Sequence, residues 1–360
     1  MNRDGEVPPA RTATAPTDID SEPPERHEDV TATVDLPHAP DSPVPQPITI
    51  LDDHGVEDRI FRSGVRLAGY FVLLLLFLIG LFLFLQGFPA FHKEGFRFFT
   101  TSGFQTLVKH PFYGVLAALV GTLEVAAVAM VVGTPVAIAT ALFLSEYAPT
   151  WSRRTLIALI DLAAAIPSII FGLWAVFELQ NNVAGVSTWL SHHLSFIPFF
   201  KVVSPPYNAS IFIAGLVVGI MIVPIVASIC REVFSLAPPG EREAALALGA
   251  TRWQMIRTVV LPFGRGGIIG AVMLGLGRAL EETIAVSIIL GGTAVISDHI
   301  LQHGGSTISA FIALNFGSGG KLGTQVLLFC GFVLFAITLV INLVASAIVN
   351  RSRSGAGVDL

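Results

Sequence analysis

Arg278, Glu281 and Glu282 stand in the stretch GAVMLGLGRALEETIAVSIILGG, whose remaining residues are apolar or small. A charged side chain in hydrocarbon costs about 2.5–3.5 kcal/mol on insertion scales, so three together need a chemical reason. On a helix, positions i+3 and i+4 share a face with i, and both glutamates can therefore reach Arg278. An arginine fork makes paired, charge-assisted hydrogen bonds to oxyanions, so it would suit a tetrahedral anion. The competing role is a structural ion pair that only bridges helices. Two ionised glutamates beside one arginine would leave net negative charge and repel an anion, unless one is protonated or pairs elsewhere. Glu281 is therefore expected to face a neighbouring subunit or the cytoplasmic interface.

The elements that must position these residues follow from composition. The chain has 360 residues, 53% of them hydrophobic and 13% charged, with a mean hydropathy of +0.72. A soluble domain carries roughly 25% charged residues. About 20 apolar residues in a helix cross a hydrocarbon core of about 30 Å. Six runs of that kind lie near residues 65–88, 116–144, 155–177, 211–230, 267–290 and 324–349. The expected fold class is thus an all-α integral membrane protein with about six transmembrane helices. The first run is apolar on every face. Pro167, Gly172 and Pro224 fall inside the third and fourth, as membrane helices allow when neighbours satisfy the freed backbone groups. Gly215 and Gly219 form a G-x-x-x-G that suits close helix contact.

Charge is distributed unevenly along the chain. Residues 1–58 hold fourteen Asp/Glu against three Arg, and the remainder holds twelve against eighteen Lys/Arg. The first segment is rich in Pro and acids and has no sustained apolar pattern, so it is expected to be a disordered tail, not a signal peptide. The membrane-spanning body is then 59–353. With the N-terminus inside, twelve Lys/Arg fall on the cytoplasmic side and five on the other. That bias predicts both termini in the cytoplasm. Cys230 and Cys330 fit no metal spacing and read as apolar filler. Among the other acids, Asp161 is expected to pair near Arg153 and Arg154, and Glu178 to close the third span in solvent. Glu124 lies deeper and suggests no partner.

Between the fourth and fifth runs lies REVFSLAPPGEREAALALGATRWQMIRTVVLPFGRGG. Pro238 and Pro239 precede good helix formers, where a missing N–H does no harm. Glu241 and Glu243 in the first turn suit the helix dipole, and Gly249 is placed to stop the helix. A short capped helix is expected within a loop at 238–262.

Glu243-Ala244-Ala245, Gly249, Val259 and Leu261-Pro262 resemble the EAA loop of ABC importer permeases, with Val259 where Ile is usual. The segments LVGTLEVAAVAMVVGTPVAIATALFLSEYAP and DLAAAIPSIIFGLWAVF resemble the PstC-type permeases of phosphate importers. So does Gly277-Arg278-Ala279-Leu280-Glu281-Glu282-Thr283, similar to their G-R-A-L-G-E-T except at Glu281. The sister PstA type tends to A-R-A-A-G-E-T. The resemblance covers about residues 60–350 and implies the type I ABC importer permease fold.

It further implies a subunit of the bacterial inner membrane that translocates inorganic phosphate without hydrolysing ATP itself and needs no cofactor, ATP being bound by partners. Those partners would be a PstA-like sister permease, PstB-like ATPase subunits docking on the loop, and a PstS-like extracytoplasmic phosphate-binding protein, with membrane lipid around the complex and no nucleic acid. Arg278, Glu282 and Thr283 would line the substrate path. Glu243, Ala244, Ala245, Gly249, Leu261 and Pro262 would couple to the ATPase. A PstA-type role or another oxyanion such as sulfate or molybdate remains an alternative. An autonomous secondary transporter would need no docking loop.

Overall fold

The computed structural model describes residues 56–105, 112–200, 208–292, 299–318 and 320–353. The acidic tail therefore lies outside the described residues, save for its last three positions, which begin the first helix. In chain order the elements are α1 (Val56–Glu94), α2 (Arg97–Thr100), β1 (Ser102–Gln105), β2 (Phe112–Val115), α3 (Leu116–Leu142), α4 (Thr150–Ala164), α5 (Ser168–Trp174), α6 (Gln180–His193) and α7 (Ile211–Ser235). There follow α8 (Pro239–Ala247), α9 (Arg252–Met255), α10 (Leu261–Glu281), α11 (Ile284–Leu290), α12 (Ile308–Asn315) and α13 (Gly320–Arg353). π turns at Phe143–Tyr147, Ala175–Leu179 and Ile256–Val260 extend α3, join α5 to α6 and join α9 to α10. The two strands form an antiparallel hairpin, Ser102 opposite Val115.

Six helical stretches among the described residues are long and apolar enough to cross a membrane: Asp58–Glu94, Leu116–Tyr147, Ser168–His193, Ile211–Ser235, Arg252–Glu281 and Gly320–Val349. The protein is an all-α multi-pass membrane protein.

The third span corrects the sequence expectation. Residues 155–177 are not one helix, because α4 ends at Ala164 and Pro167 adopts an extended ψ of 137° before α5. Proline cannot supply the N–H that would continue the helix and disfavours helical geometry at the residue before it. The amphipathic α4 buries none of its residues, whereas the crossing runs on from Ser168 to His193. Glu178 accordingly sits within this span instead of closing it. Gln180 and Ser187 break the apolar run yet are buried, facing the protein interior.

The core is built around α7, whose residues Ile213, Val217, Ile222 and Val226 are fully enclosed. It packs between α3 and α10. Gly215 and Gly219 allow the approach to α3: a Cβ on Gly219 would lie 3.2 Å from the Ala129 carbonyl oxygen. This is the close contact that G-x-x-x-G spacing favours. A second apolar cluster joins Phe98, Tyr113 and Val115 to Phe311, Phe329 and Cys330. From residue 63 onward α1 buries only Gly80, Gly87 and Ala90, and it meets α13 through Phe91 stacked on Phe329 at 5.0 Å. Cys230 and Cys330 are free thiols inside the core.

Candidate functional site

The fifth crossing does not continue to Leu290. Helix α10 ends at Glu281, Glu282 takes an extended ψ of 118°, and α11 begins at Ile284. Neither proline nor glycine stands at this break. Side chains hold it open instead, supplying the hydrogen bonds that an interrupted helix loses and that lipid cannot provide. The Glu282 carboxylate accepts the Ala285 N–H through Oε1 at 3.2 Å. The Thr283 hydroxyl donates to the Glu281 carbonyl at 3.0 Å. The Ser309 hydroxyl donates to the Glu282 carbonyl at 2.9 Å.

The second oxygen of Glu282 takes the Arg278 guanidinium, Nη2 to Oε2 at 3.1 Å. The partners differ in environment: the Arg278 side chain is 43% exposed and that of Glu282 only 2%. Glu282 is therefore committed to structure on both oxygens, while Arg278 presents the accessible edge. A guanidinium has five N–H donors, so one bond to Glu282 leaves donors for a further acceptor.

Buried hydroxyls lead back from Ser309 to α3. Thr307 caps α12 by accepting the Ala310 N–H at 3.3 Å and lies 3.2 Å from the Ser309 hydroxyl. Thr122 on α3 accepts the Ile308 N–H at 2.9 Å. Beside it, a Cβ on Gly121 would collide with the Ser306 carbonyl oxygen, so only glycine lets α3 approach the loop before α12. Thr122, Ser306, Thr307 and Ser309 are all buried. No periodicity in the sequence marked them, because their partners come from segments distant along the chain.

Glu281 lies beside Arg278 in sequence but turns away. It lines a cavity of about 660 Å³ formed with Leu76, Phe77 and Gly80 of α1 and Phe335, Thr338 and Asn342 of α13. The ion pair of Arg278 is with Glu282. Asp161 is exposed, and among the described residues no ion pair joins it to Arg153 or Arg154. Glu124 lines a separate, mainly apolar cavity with Val128, Phe199 and Phe212.

The loop at 238–262 forms the expected short helix. Proline opens α8, Glu241 occupies its first turn, and Gly249 follows its end with φ of +84°, a conformation that favours glycine. Thr251 and Gln254 then close a capping box on α9. Glu243 and Ala244 are exposed, and Ala245 packs partly against the protein's own core near Phe234 and Ile256. Leu248 is 89% exposed and Trp253 55%, an uncovered apolar surface on this loop. Leu261 is half-buried and Pro262 exposed at the start of α10. Pro262 falls just after the π turn Ile256–Val260, a wide turn of the kind that absorbs a missing backbone bond.

This loop, the α10–α11 break and the helices between them fall within residues 133–354, which match the family described as binding-protein-dependent transport system inner membrane component. The chain belongs to this family. The chain is 42% identical over 302 residues to the phosphate transport system permease protein PstC of Mycobacterium leprae, covering 83% of this chain and 95% of that one. It is 39% identical to the phosphate transport system permease protein PstC 2 of Mycobacterium tuberculosis, with 83% and 93% covered. Among solved structures, it resembles a chain of the bacterial alginate ABC transporter in complex with an alginate pentasaccharide-bound periplasmic protein. The TM-score is 0.51 at 18% identity, over 82% of this chain and 97% of that one. The chain thus has the type I ABC importer permease fold.

Proposed function

We propose that this chain is the PstC-type permease subunit of an ATP-driven importer, carrying inorganic phosphate from an extracytoplasmic binding protein into the cytoplasm. The observation that carries this reading is the Arg278–Glu282 pair at the α10–α11 break, within a segment resembling the G-R-A-L-G-E-T of PstC-type permeases. Arg278 supplies the donors for a phosphate oxygen, Thr283 flanks the path, and Glu282 holds Arg278 in place. Glu282 also tempers the positive charge. A translocation site must bind well enough to admit its anion and weakly enough to release it, and an arginine paired to one carboxylate with donors to spare meets both demands.

ATP is hydrolysed by separate PstB-like subunits, onto which Glu243, Ala244, Ala245, Gly249, Leu261 and Pro262 transmit contact. The apolar surface at Leu248 and Trp253 supports that reading, since exposed apolar groups outside the lipid favour a protein partner. A PstA-like sister completes the translocation pathway. The excess of Lys and Arg beside this loop supports a cytoplasmic side for it and for both termini.

The test is ATP-dependent uptake of radiolabelled phosphate by the reconstituted complex, with and without Arg278→Gln and with excess sulfate. Uptake is expected to depend on Arg278 and to resist sulfate. Equal uptake of sulfate would replace phosphate with a broader oxyanion specificity.

A further inference from the structure

We propose that the Glu146–Arg242 ion pair makes α3 a strut between the docking loop and the Arg278 site, with Glu146 and Arg242 as positioning residues for transport. This rests on the reading of α8 as the helix that meets the ATPase. Helices α7 and α10 join that loop through the chain itself. Helix α3 is not contiguous with it and needs a side-chain tie.

That tie is present. Arg242 on α8 places Nη1 3.0 Å from Glu146 Oε1 and 3.4 Å from Oε2. Its Nη2 donates to the Phe234 carbonyl at the end of α7. Arg252 at the start of α9 donates to the Glu146 carbonyl at 3.0 Å and lies over the Tyr147 ring at 5.5 Å. The Glu146 side chain is 6% exposed and that of Arg242 21%. A pair so shielded from water is screened little by salt and holds its geometry. Two arginines of the docking loop thus grip one residue in the π turn that ends α3.

The other end of α3 grips the anion site. Thr122 accepts the Ile308 N–H, Gly121 lies against the Ser306 carbonyl, and Ser309 donates to the Glu282 carbonyl. From Thr122 to Glu146 the helix spans about 36 Å at its usual rise. A displacement of α8 relative to α7 would load Glu146, and α3 would deliver it to the peptide that holds Glu282 and aims Arg278. Packed helices transmit such displacements because close-packed interiors deform little.

The experiment compares Glu146→Gln, Arg242→Gln and their double variant in the assembled complex, measuring phosphate imported per ATP hydrolysed. ATPase turnover is expected to stay within about two-fold while phosphate per ATP falls at least about five-fold. The double variant should be no worse than either single one, as for groups acting as one unit. Thr122→Val, which leaves the docking surface untouched, reads the same quantity from the far end and decides the matter should the first variants fail to assemble. A role in folding alone lowers the yield of complex but leaves phosphate per ATP unchanged, and that result, with Thr122→Val also unchanged, overturns the proposal. The reading of the loop is tested apart from it: ATPase subunits that co-purify undiminished with Leu248→Asp and Trp253→Asp would sink the docking assignment and leave the strut measurement standing.

Discussion

Arg278 and Glu282 are one helical turn apart and joined at 3.1 Å, yet Glu282 is sealed inside the protein while Arg278 remains open on one side. The carboxylate also caps the next helix through Ala285, so the orientation of the arginine is tied to the position of the break.

Replacing Arg278 by Lys keeps the charge but removes the planar fork. Uptake should fall roughly ten-fold, about the worth of one charge-assisted hydrogen bond of 1.5 kcal/mol. Initial rates of phosphate uptake across a concentration series measure this, and an unaltered rate would show that charge alone suffices.

Glu282→Gln should behave differently. Released from its carboxylate, Arg278 would hold phosphate more tightly, so KM and maximal rate should fall together. The shift should reach at most about five-fold, because an ion pair with one half-exposed partner contributes about 1 kcal/mol. A raised KM would instead make Glu282 part of the attraction for substrate.

Glu281→Gln should leave uptake within about two-fold, the usual range for residues outside a site. Its side chain lines the space between α1 and α13 and does not pair with Arg278. A change beyond ten-fold in the same uptake assay would put Glu281 on the phosphate route.

Gly121→Ala should lower the stability of the detergent-solubilised protein by about 1–3 kcal/mol, as overpacking does, because the added carbon meets the Ser306 carbonyl oxygen. Gly185→Ala is the matched control. Nothing lies within 4 Å of a Cβ there, and a helical glycine replaced by alanine should gain about 0.5–1 kcal/mol. Thermal unfolding of the two variants should therefore shift in opposite directions.

Much of this architecture was legible in the sequence. The runs at 65–88, 116–144, 211–230 and 324–349 fall inside continuous helices, and Pro238, Glu241 and Gly249 do mark the short helix α8. Apolar run length could not locate the third crossing, since Pro167 divides it and buried Gln180 and Ser187 carry it onward. The break at Glu282 was illegible for a different reason. It is held by side-chain bonds from Ser309 and Glu282 itself and has no breaker residue. Arg278 and Glu282 could be paired from helical spacing, which sees four residues. Glu146 and Arg242 are 96 residues apart, and only the folded chain brings them together.

The π turn at Ile256–Val260 has a consequence for the aim of Arg278. A π turn accommodates one residue more than an α turn, and one residue in an α-helix corresponds to about 100° of rotation. Were that turn to relax to α geometry, every side chain of α10 would swing to a new azimuth while the axis stayed in place. The compass bearing of the arginine is thus set about 27 Å upstream of it, at the root of α10.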